Sequence, residues 1–180
     1  MAHLINSDTL SQGAVLLGVD WGVNPNPLSI VLTSECDILH EKASYIIVAS
    51  LISAKEIIRE SSDYQDLIQG IGEEGISNNK WAKINKFLDN YIHNKGISRY
   101  YFIDPADAFD SPYLFVDFQH LKSVPFEDIS SFEVVAKLPT PFKEQMIVQF
   151  ASYMARIPVE RAEDTTQIIE SIIAPLKRKP

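Results

Sequence analysis

The strongest constraint on the fold of this chain is a short apolar run that ends abruptly in polar residues. Residues 28–33 read Leu-Ser-Ile-Val-Leu-Thr, and residues 34–37 read Ser-Glu-Cys-Asp. A run this short, rich in β-branched side chains and preceded by Pro27, is typical of a buried strand. Such a strand carries hydroxyls, carboxylates and a thiol to the edge of a core, where rigid scaffolds commonly hold functional sites.

The other apolar patterns place strands on both sides of a helical block. Further strands are predicted at residues 13–20, 45–51, 99–103, 113–124 and 132–138. Helices are predicted at residues 53–59, 78–93 and 141–157, with a last helix that follows a cap at Asp164 or Thr165 and ends at Ala174. Residues 1–12 are predicted as a leader with one helical turn.

This order of elements predicts an α+β fold. We expect a small, curled antiparallel sheet or a small β-barrel. The whole chain, residues 1–180, is predicted to be a single domain. It would carry a helical insertion at residues 53–95 and a C-terminal helix with a basic tail at residues 158–180.

Composition and charge narrow the class of protein. The 180 residues are enough for one domain with a sizeable core. The 16 basic and 24 acidic residues give a formal charge of −8, which argues against non-specific coating of nucleic acid but permits a local basic groove. A single cysteine forms no internal disulfide, which favours a reducing compartment. Without a signal-peptide pattern or a membrane-spanning apolar run, the sequence predicts a cytoplasmic protein with no membrane partner.

The polar residues after the central strand allow a catalytic and a structural interpretation. Cys36 as a nucleophile requires a base or a positive environment that stabilises the thiolate. Its neighbours Glu35 and Asp37 have the opposite effect, which favours a cysteine that packs as a small apolar residue at a turn. Ser34 or Asp37 would then supply hydrogen bonds that fix the loop leaving the strand.

Incomplete or absent motifs argue against several kinds of functional site. Cys36 and His40 have the C-x3-H spacing of a metal-binding pair, and His120 is a further candidate metal ligand. Structural zinc usually takes four ligands from two close pairs, and only one pair is present, so we expect no metal and no other cofactor. The sequence also has no Walker loop, no G-x-G-x-x-G, no H-E-x-x-H and no G-x-S-x-G, which argues against large classes of nucleotide-dependent enzymes and hydrolases.

Two arginines are candidates for anion recognition. Arg99 precedes a predicted strand, and Arg156 lies at the end of an apolar helix. Their guanidinium groups suit phosphate or carboxylate recognition, and the alternatives for Arg156 are a helix cap or a salt bridge to a strand carboxylate such as Asp117. The lysines of helix 78–93 are a further basic surface, for which a solvated helix face is favoured over contact with an RNA backbone.

Part of the chain resembles a known family. Residues 12–16 read Gln-Gly-Ala-Val-Leu, and residues 26–33 read Asn-Pro-Leu-Ser-Ile-Val-Leu-Thr. Together they resemble the opening of PemK/MazF-like toxins, which runs G-(D/E)-(V/I)-(V/W) and then R-P-x-L-V-L-(S/T). Residues 33–38 also resemble a (T/S)-x-x-C-D pattern in an uncharacterised bacterial branch that is loosely grouped with that fold. The resemblance covers about residues 12–39.

The resemblance implies an SH3-like β-barrel with a terminal helix and, for active members, a metal-independent endoribonuclease specific for RNA sequence. The family's hydroxyl residue after the strand corresponds here to Thr33 and Ser34. The arginine before the proline is replaced by Asn26, which supplies no charge to stabilise a pentacovalent phosphate. Arg99 or Arg156 would have to take over that role in space.

Two functions therefore stay open, and with them the question whether the chain is an enzyme. In the first, a toxin-fold protein of a bacterial toxin–antitoxin or phage-defence system cleaves RNA. Thr33 or Ser34 would orient the 2′-hydroxyl, and Asp37 would act as base. Arg99 or Arg156 would then stabilise the phosphate.

In the second, a non-catalytic module of the same fold binds a protein partner or a small ligand at the loop 33–40. The partner would be an antitoxin or a defence-system component, and a homodimer is a further expectation. The residues assigned to binding are Asn26, Glu35, Cys36 and His40. The asparagine at position 26 and the net acidity of the chain favour this second function.

Overall fold

The computed structural model describes residues 1–22, 28–71, 75–95, 99–105 and 113–155. Its strands are β1 (Ile5–Asn6), β2 (Ala14–Leu17), β3 (Leu28–Val31), β4 (Tyr45–Ser53), β5 (Tyr100–Ile103), β6 (Leu114–Pro125) and β7 (Glu133–Lys137). Its helices are α1 (Glu35–Leu39), α2 (Ala54–Glu60), α3 (Ser62–Ile68), α4 (Asn78–Ile92) and α5 (Phe142–Met154), with a 3₁₀ helix at Phe126–Ser131. Asn26, Arg156 and the helix predicted to end at residue 174 lie outside the described residues.

The described strands form one antiparallel sheet in the order β1-β7-β2-β3-β4-β6-β5. The sheet curls until its two edges come together. Leu4 N, next to β1, donates to Asp104 O, which directly follows β5, and Asp104 N donates to Ala2 O, at 3.0 and 2.8 Å. The α+β class and the curled antiparallel sheet predicted from the sequence are therefore confirmed.

The main core fills the concave side of the sheet. Alternate residues of each strand point inward, as the two-residue period of a strand requires, and α5 packs against them. Met146 of α5 is fully buried in this cluster, and Tyr101 OH donates to Phe142 O at 3.1 Å. The inward-facing side chains include Val15, Ile30, Ala49, Leu51, Val116 and Phe118.

Two smaller apolar clusters lie on the convex side of the sheet. The first packs Ile38 of α1 and the half-buried Phe126 and Ile129 of the 3₁₀ helix against β2, β3 and β4. The second packs helices α2 and α4 against Phe102 and Phe115 of β5 and β6. The convex face is therefore covered at both ends, and the strip between the two clusters holds polar residues.

Two local predictions were wrong. Residues 35–39 form helix α1, whereas a loop was expected, because the Ser34 hydroxyl caps the chain into a helical turn. The leader contains strand β1, whereas a helical turn was expected, because Ile5 and Asn6 pair with β7 while Ala2 and Leu4 are buried in the main core. Tertiary pairing therefore sets the structure of the leader, whereas a local cap sets that of α1.

Gly13 provides a test of how closely the chain packs at the start of β2. Its φ is +82°, and a Cβ there would lie 3.2 Å from both Leu138 O and Lys143 Cγ. Gly70 has a similar φ of +72° but open space around it. An L-residue in this backbone region costs about 1–2 kcal/mol at either site. We expect Gly13→Ala to lower the free energy of unfolding by about 1 kcal/mol more than Gly70→Ala, measured by urea denaturation. Equal losses would contradict the close packing.

Candidate functional site

The hydroxyls and the carboxylate after β3 are bonded to one another and to the backbone. Ser34 Oγ accepts from Asp37 N at 3.2 Å and donates to Asp37 Oδ2 at 2.8 Å. Thr33 Oγ1 accepts from Ile47 N at 2.7 Å. These bonds cap α1 and tie the end of β3 to β4, which is the structural role considered for Ser34 and Asp37 from the sequence.

The other residues of this segment lie on or near the surface of α1. Glu35 forms an ion pair with Lys143 of α5. Cys36 is exposed, so it does not pack as a buried apolar residue. His40 is the C-cap of α1, and its backbone N–H donates to Cys36 O at 3.2 Å. Across the described residues, no group of three or more His, Cys, Asp or Glu side chains is arranged to hold a metal ion.

Arg99 lies away from this segment and binds a different carboxylate. Its Nε donates to Asp117 Oδ1 at 2.6 Å, and its Nη2 donates to Asp117 Oδ2. Burial leaves only 3% of Asp117 exposed, whereas the Arg99 side chain is 40% exposed. The hydrogen bonds to Asp117 raise the pKa of the guanidinium above its ordinary value.

The α1 segment and the Arg99–Asp117 pair lie near opposite ends of α5. Glu35 contacts Lys143 in the first turn of α5, whereas Gln119, two residues after Asp117, is hydrogen-bonded to Tyr153 near the helix end. Lys143 and Tyr153 are ten positions apart in α5, which corresponds to about 15 Å along the helix axis. The structure therefore does not bring Arg99 together with Thr33, Ser34 and Asp37.

A wide bulge in β6 shapes the surroundings of Asp117. Ser50 of β4 is opposite Asp117, but the preceding residue, Ala49, is opposite Leu121. Residues 118–120 are therefore unopposed, and the backbone N of Gln119 turns back to donate to Asp117 Oδ1 at 3.0 Å. Bulges of this kind re-aim side chains and are common beside functional sites.

A row of buried polar residues crosses the convex face at the bulge. Ser29, Ser50 and Asp117 are successive partners across β3, β4 and β6, so their side chains share one face of the sheet. Ser29 Oγ accepts from Trp21 Nε1 at 2.9 Å, and the Trp21 ring lies 4.4 Å from the ring of His120. We call this group the bulge site: Trp21, Ser29, Ser50, Arg99, Asp117 and His120.

One member of the bulge site has an unmet hydrogen-bonding requirement. Ser50 is fully buried, and its Oγ has no hydrogen-bond partner in the part of the chain that the structure describes. A buried hydroxyl without a partner costs about 1–3 kcal/mol, so such groups are rare and call for an explanation. A polar atom of a bound ligand, or a water molecule, would satisfy it.

Sequence reasoning missed most of this site. Asp117 was considered only as a salt-bridge partner and His120 only as a metal ligand, while Trp21, Ser29 and Ser50 were not singled out. Their proximity depends on the register of β3, β4 and β6, and that register depends on a bulge with no clear sequence signal. The serines inside two otherwise apolar strands were the available hint, because a strand buried on both faces is normally apolar throughout.

Comparisons of the chain with protein-family models, curated proteins and solved structures found no match. The PemK/MazF-like resemblance therefore stays a prediction. Within the described ranges, no helix has both the length and the apolar character needed to cross a lipid bilayer.

The two serines of the bulge site form a matched pair for stability measurements. Ser29→Ala removes the acceptor of Trp21 Nε1, and we expect it to lower the free energy of unfolding by about 1 kcal/mol. Ser50→Ala removes a buried hydroxyl that has no partner among the described residues, and we expect the free energy of unfolding to stay unchanged or rise. Thermal and urea unfolding check both values. A loss for Ser50→Ala as large as that for Ser29→Ala would show that its hydroxyl is already satisfied in the free protein.

Proposed function

We propose that this protein is a non-catalytic binding module that holds a polar group of its ligand at the bulge site. The observation that carries the proposal is the fully buried Ser50 Oγ without a partner in the described chain. Asp117 lies opposite Ser50, and the partly exposed Arg99 guanidinium is bound to Asp117. The ligand would complete a hydrogen-bonded network that the described residues leave incomplete.

The contacts at the end of β3 support binding over cleavage. A general base must be able to reach the proton that it removes. Asp37 already accepts a hydrogen bond from Ser34, and Thr33 Oγ1 already accepts one from Ile47 N. The residues after β3 that the first hypothesis assigned to RNA cleavage therefore serve the local structure.

A second candidate function is metal-independent RNA cleavage with a different set of residues. One observation favours it: the bulge site combines the cation of Arg99, bound to Asp117, with the imidazole of His120, in ring contact with Trp21. A guanidinium can stabilise a phosphorane, and an imidazole can transfer protons near neutral pH. Arg99 would then supply the charge that Asn26 does not.

The biological setting is also a proposal. A place in a bacterial toxin–antitoxin or phage-defence system, with an antitoxin or a defence component as partner, is supported by the resemblance of residues 12–39. A cytoplasmic location is supported by the single cysteine and the ordinary globular composition. The binding module would act there through its ligand, its protein partner or a second copy of itself.

An RNA cleavage assay separates the two candidate functions. Wild type, Arg99→Ala, His120→Ala and the surface control Lys86→Ala are incubated with structured and single-stranded RNAs in the presence of a chelator. We expect no cleavage above the buffer background from any of the four proteins. Cleavage by wild type and Lys86→Ala that is lost in Arg99→Ala or His120→Ala, with all variants folded by circular dichroism, would establish the ribonuclease instead.

A thermal-shift screen tests the binding function directly. Free amino acids, sugar phosphates and short polar acids are added at millimolar concentration to wild type, Ser50→Ala and Ser34→Ala. A compound present at 100 times its Kd stabilises the folded protein by about 2.7 kcal/mol, which raises Tm by several degrees. We expect at least one compound to stabilise wild type and Ser34→Ala but not Ser50→Ala. Loss of the shift in Ser34→Ala alone would instead place the ligand at residues 33–40.

A further inference from the structure

A cavity lies between α3, α4 and the start of β5. Its volume is about 290 Å³, at the lower end of the range for small-molecule pockets, about 300–1,000 Å³. It therefore suits one small molecule better than a length of polymer. The residues that line it include Asp63, Phe87, Asn90, Tyr91, Lys95 and Tyr100.

The walls of this cavity are aromatic and held by further rings. Phe87 and Tyr91 are in edge contact, with ring centroids 5.2 Å apart. Behind them, Tyr91 and Tyr100 both contact the buried Phe115, at 5.6 and 5.1 Å. A planar ring that enters the cavity would meet surfaces already fixed in place, so little conformational entropy would be lost on binding.

The end of α4 is also fixed, which keeps the cavity formed without a ligand. Asn94 follows α4 and bonds to both backbone groups of one residue of β5. Its Nδ2 donates to Phe102 O at 3.1 Å, and its Oδ1 accepts from Phe102 N at 2.5 Å. The end of α4 is therefore held against β5 by contacts within the protein.

The polar groups at the cavity supply both hydrogen-bond acceptors and donors. Within the described parts of the chain, the side chains of Asp63 and Asn90 make no hydrogen bond. A carboxylate accepts two parallel N–H bonds, and an amide both donates and accepts. This combination matches the N1–H, the exocyclic amine and the O6 of guanine, whereas adenine presents no N–H at N1.

Cations lie beside the same cavity. Lys95 lines it and forms an ion pair with Asp89, which lowers the pKa of that carboxyl group. The Arg99 guanidinium lies 4.9 Å from the centre of the Tyr100 ring. Burial raises the pKa of Tyr91, and the nearby Asp63 adds to that shift, so the phenol stays neutral and can donate a hydrogen bond.

From these contacts we propose that the cavity binds a guanine mononucleotide. The base contacts Phe87 and Tyr91, with its N1–H and amine directed at Asp63 and its O6 at Asn90. The phosphate is bound by Lys95, which exchanges Asp89 for the ligand. Arg99 of the bulge site lies beside Tyr100, but none of the described residues that line this cavity belongs to the bulge site, and neither proposal depends on the other.

Calorimetric titration of the full chain with GMP, AMP and guanosine tests the proposal. We expect GMP to bind wild type at least tenfold more tightly than AMP, because AMP leaves the Asp63 carboxylate without its N–H partners. Guanosine, which lacks the phosphate, is expected to bind several-fold more weakly than GMP. Absence of GMP binding at millimolar concentration, or equal affinity for GMP and AMP, would overturn the proposal.

Matched variants locate the binding site. Asp63→Asn is expected to weaken GMP binding at least tenfold, because the amide repels one of the two N–H donors of guanine. Asp66→Asn, on the same exposed helix but not lining the cavity, is expected to bind GMP as wild type does. Ser50→Ala is also expected to retain GMP binding, which separates this site from the bulge site. Wild-type affinity in Asp63→Asn would contradict the assignment.

Discussion

The pairing of β4 with β6 is the interaction on which the rest of the structure depends. The first part of β6 pairs with both β4 and β5, and helices α2 and α4 pack on its convex face. The second part supports the cluster around α1 and the 3₁₀ helix.

Three residues between these parts, 118–120, have no partner on β4. The alternation of side chains between the two faces of the sheet therefore reverses along β6. The convex face holds Phe115 and Asp117 before the bulge, but Lys122 and Val124 after it, in register with Val48 and Ile46. Without this reversal, one half of β6 would direct its apolar residues to the wrong face.

The same bulge explains why the polar site lies where it does. The two convex clusters lie on either side of it, and the strip between them holds Ser29, Ser50 and Asp117. A polar side chain buried in that strip needs a hydrogen-bond partner, because a buried polar group without one is costly. Ser29 finds Trp21, and Asp117 finds Arg99. The site is therefore a consequence of the bulge, where the alternation of side chains along β6 reverses.

Much of the fold could be predicted from the sequence, but the site could not. Apolar runs and caps predicted six of the seven strands, including β4 and β6, and the helices capped by Ser53 and Ser77, because these signals are local. The alternation of Leu114, Val116 and Phe118 predicted an unbroken strand, and nothing local marked its interruption. The contacts that assemble the bulge site join residues up to about one hundred positions apart, such as Trp21 and His120.

The polar segment after β3 was more conspicuous in the sequence. Yet the hydrogen bonds of Thr33, Ser34 and Asp37 cap α1 and link the end of β3 to β4.

The unequal distribution of donors at the bulge is the strongest argument for a ligand. The Asp117 carboxylate receives three hydrogen bonds, two from Arg99 and one from the backbone N of Gln119. A buried carboxylate needs such donors, since removing one partner of a buried ion pair costs about 3–5 kcal/mol, and less where that partner is partly exposed. Ser50, directly opposite on β4, receives none in the described chain. An alanine at position 50 would fill nearly the same space without that cost. A serine there is accounted for if its hydroxyl bonds to an atom that the described residues do not supply, such as a polar atom of the proposed ligand.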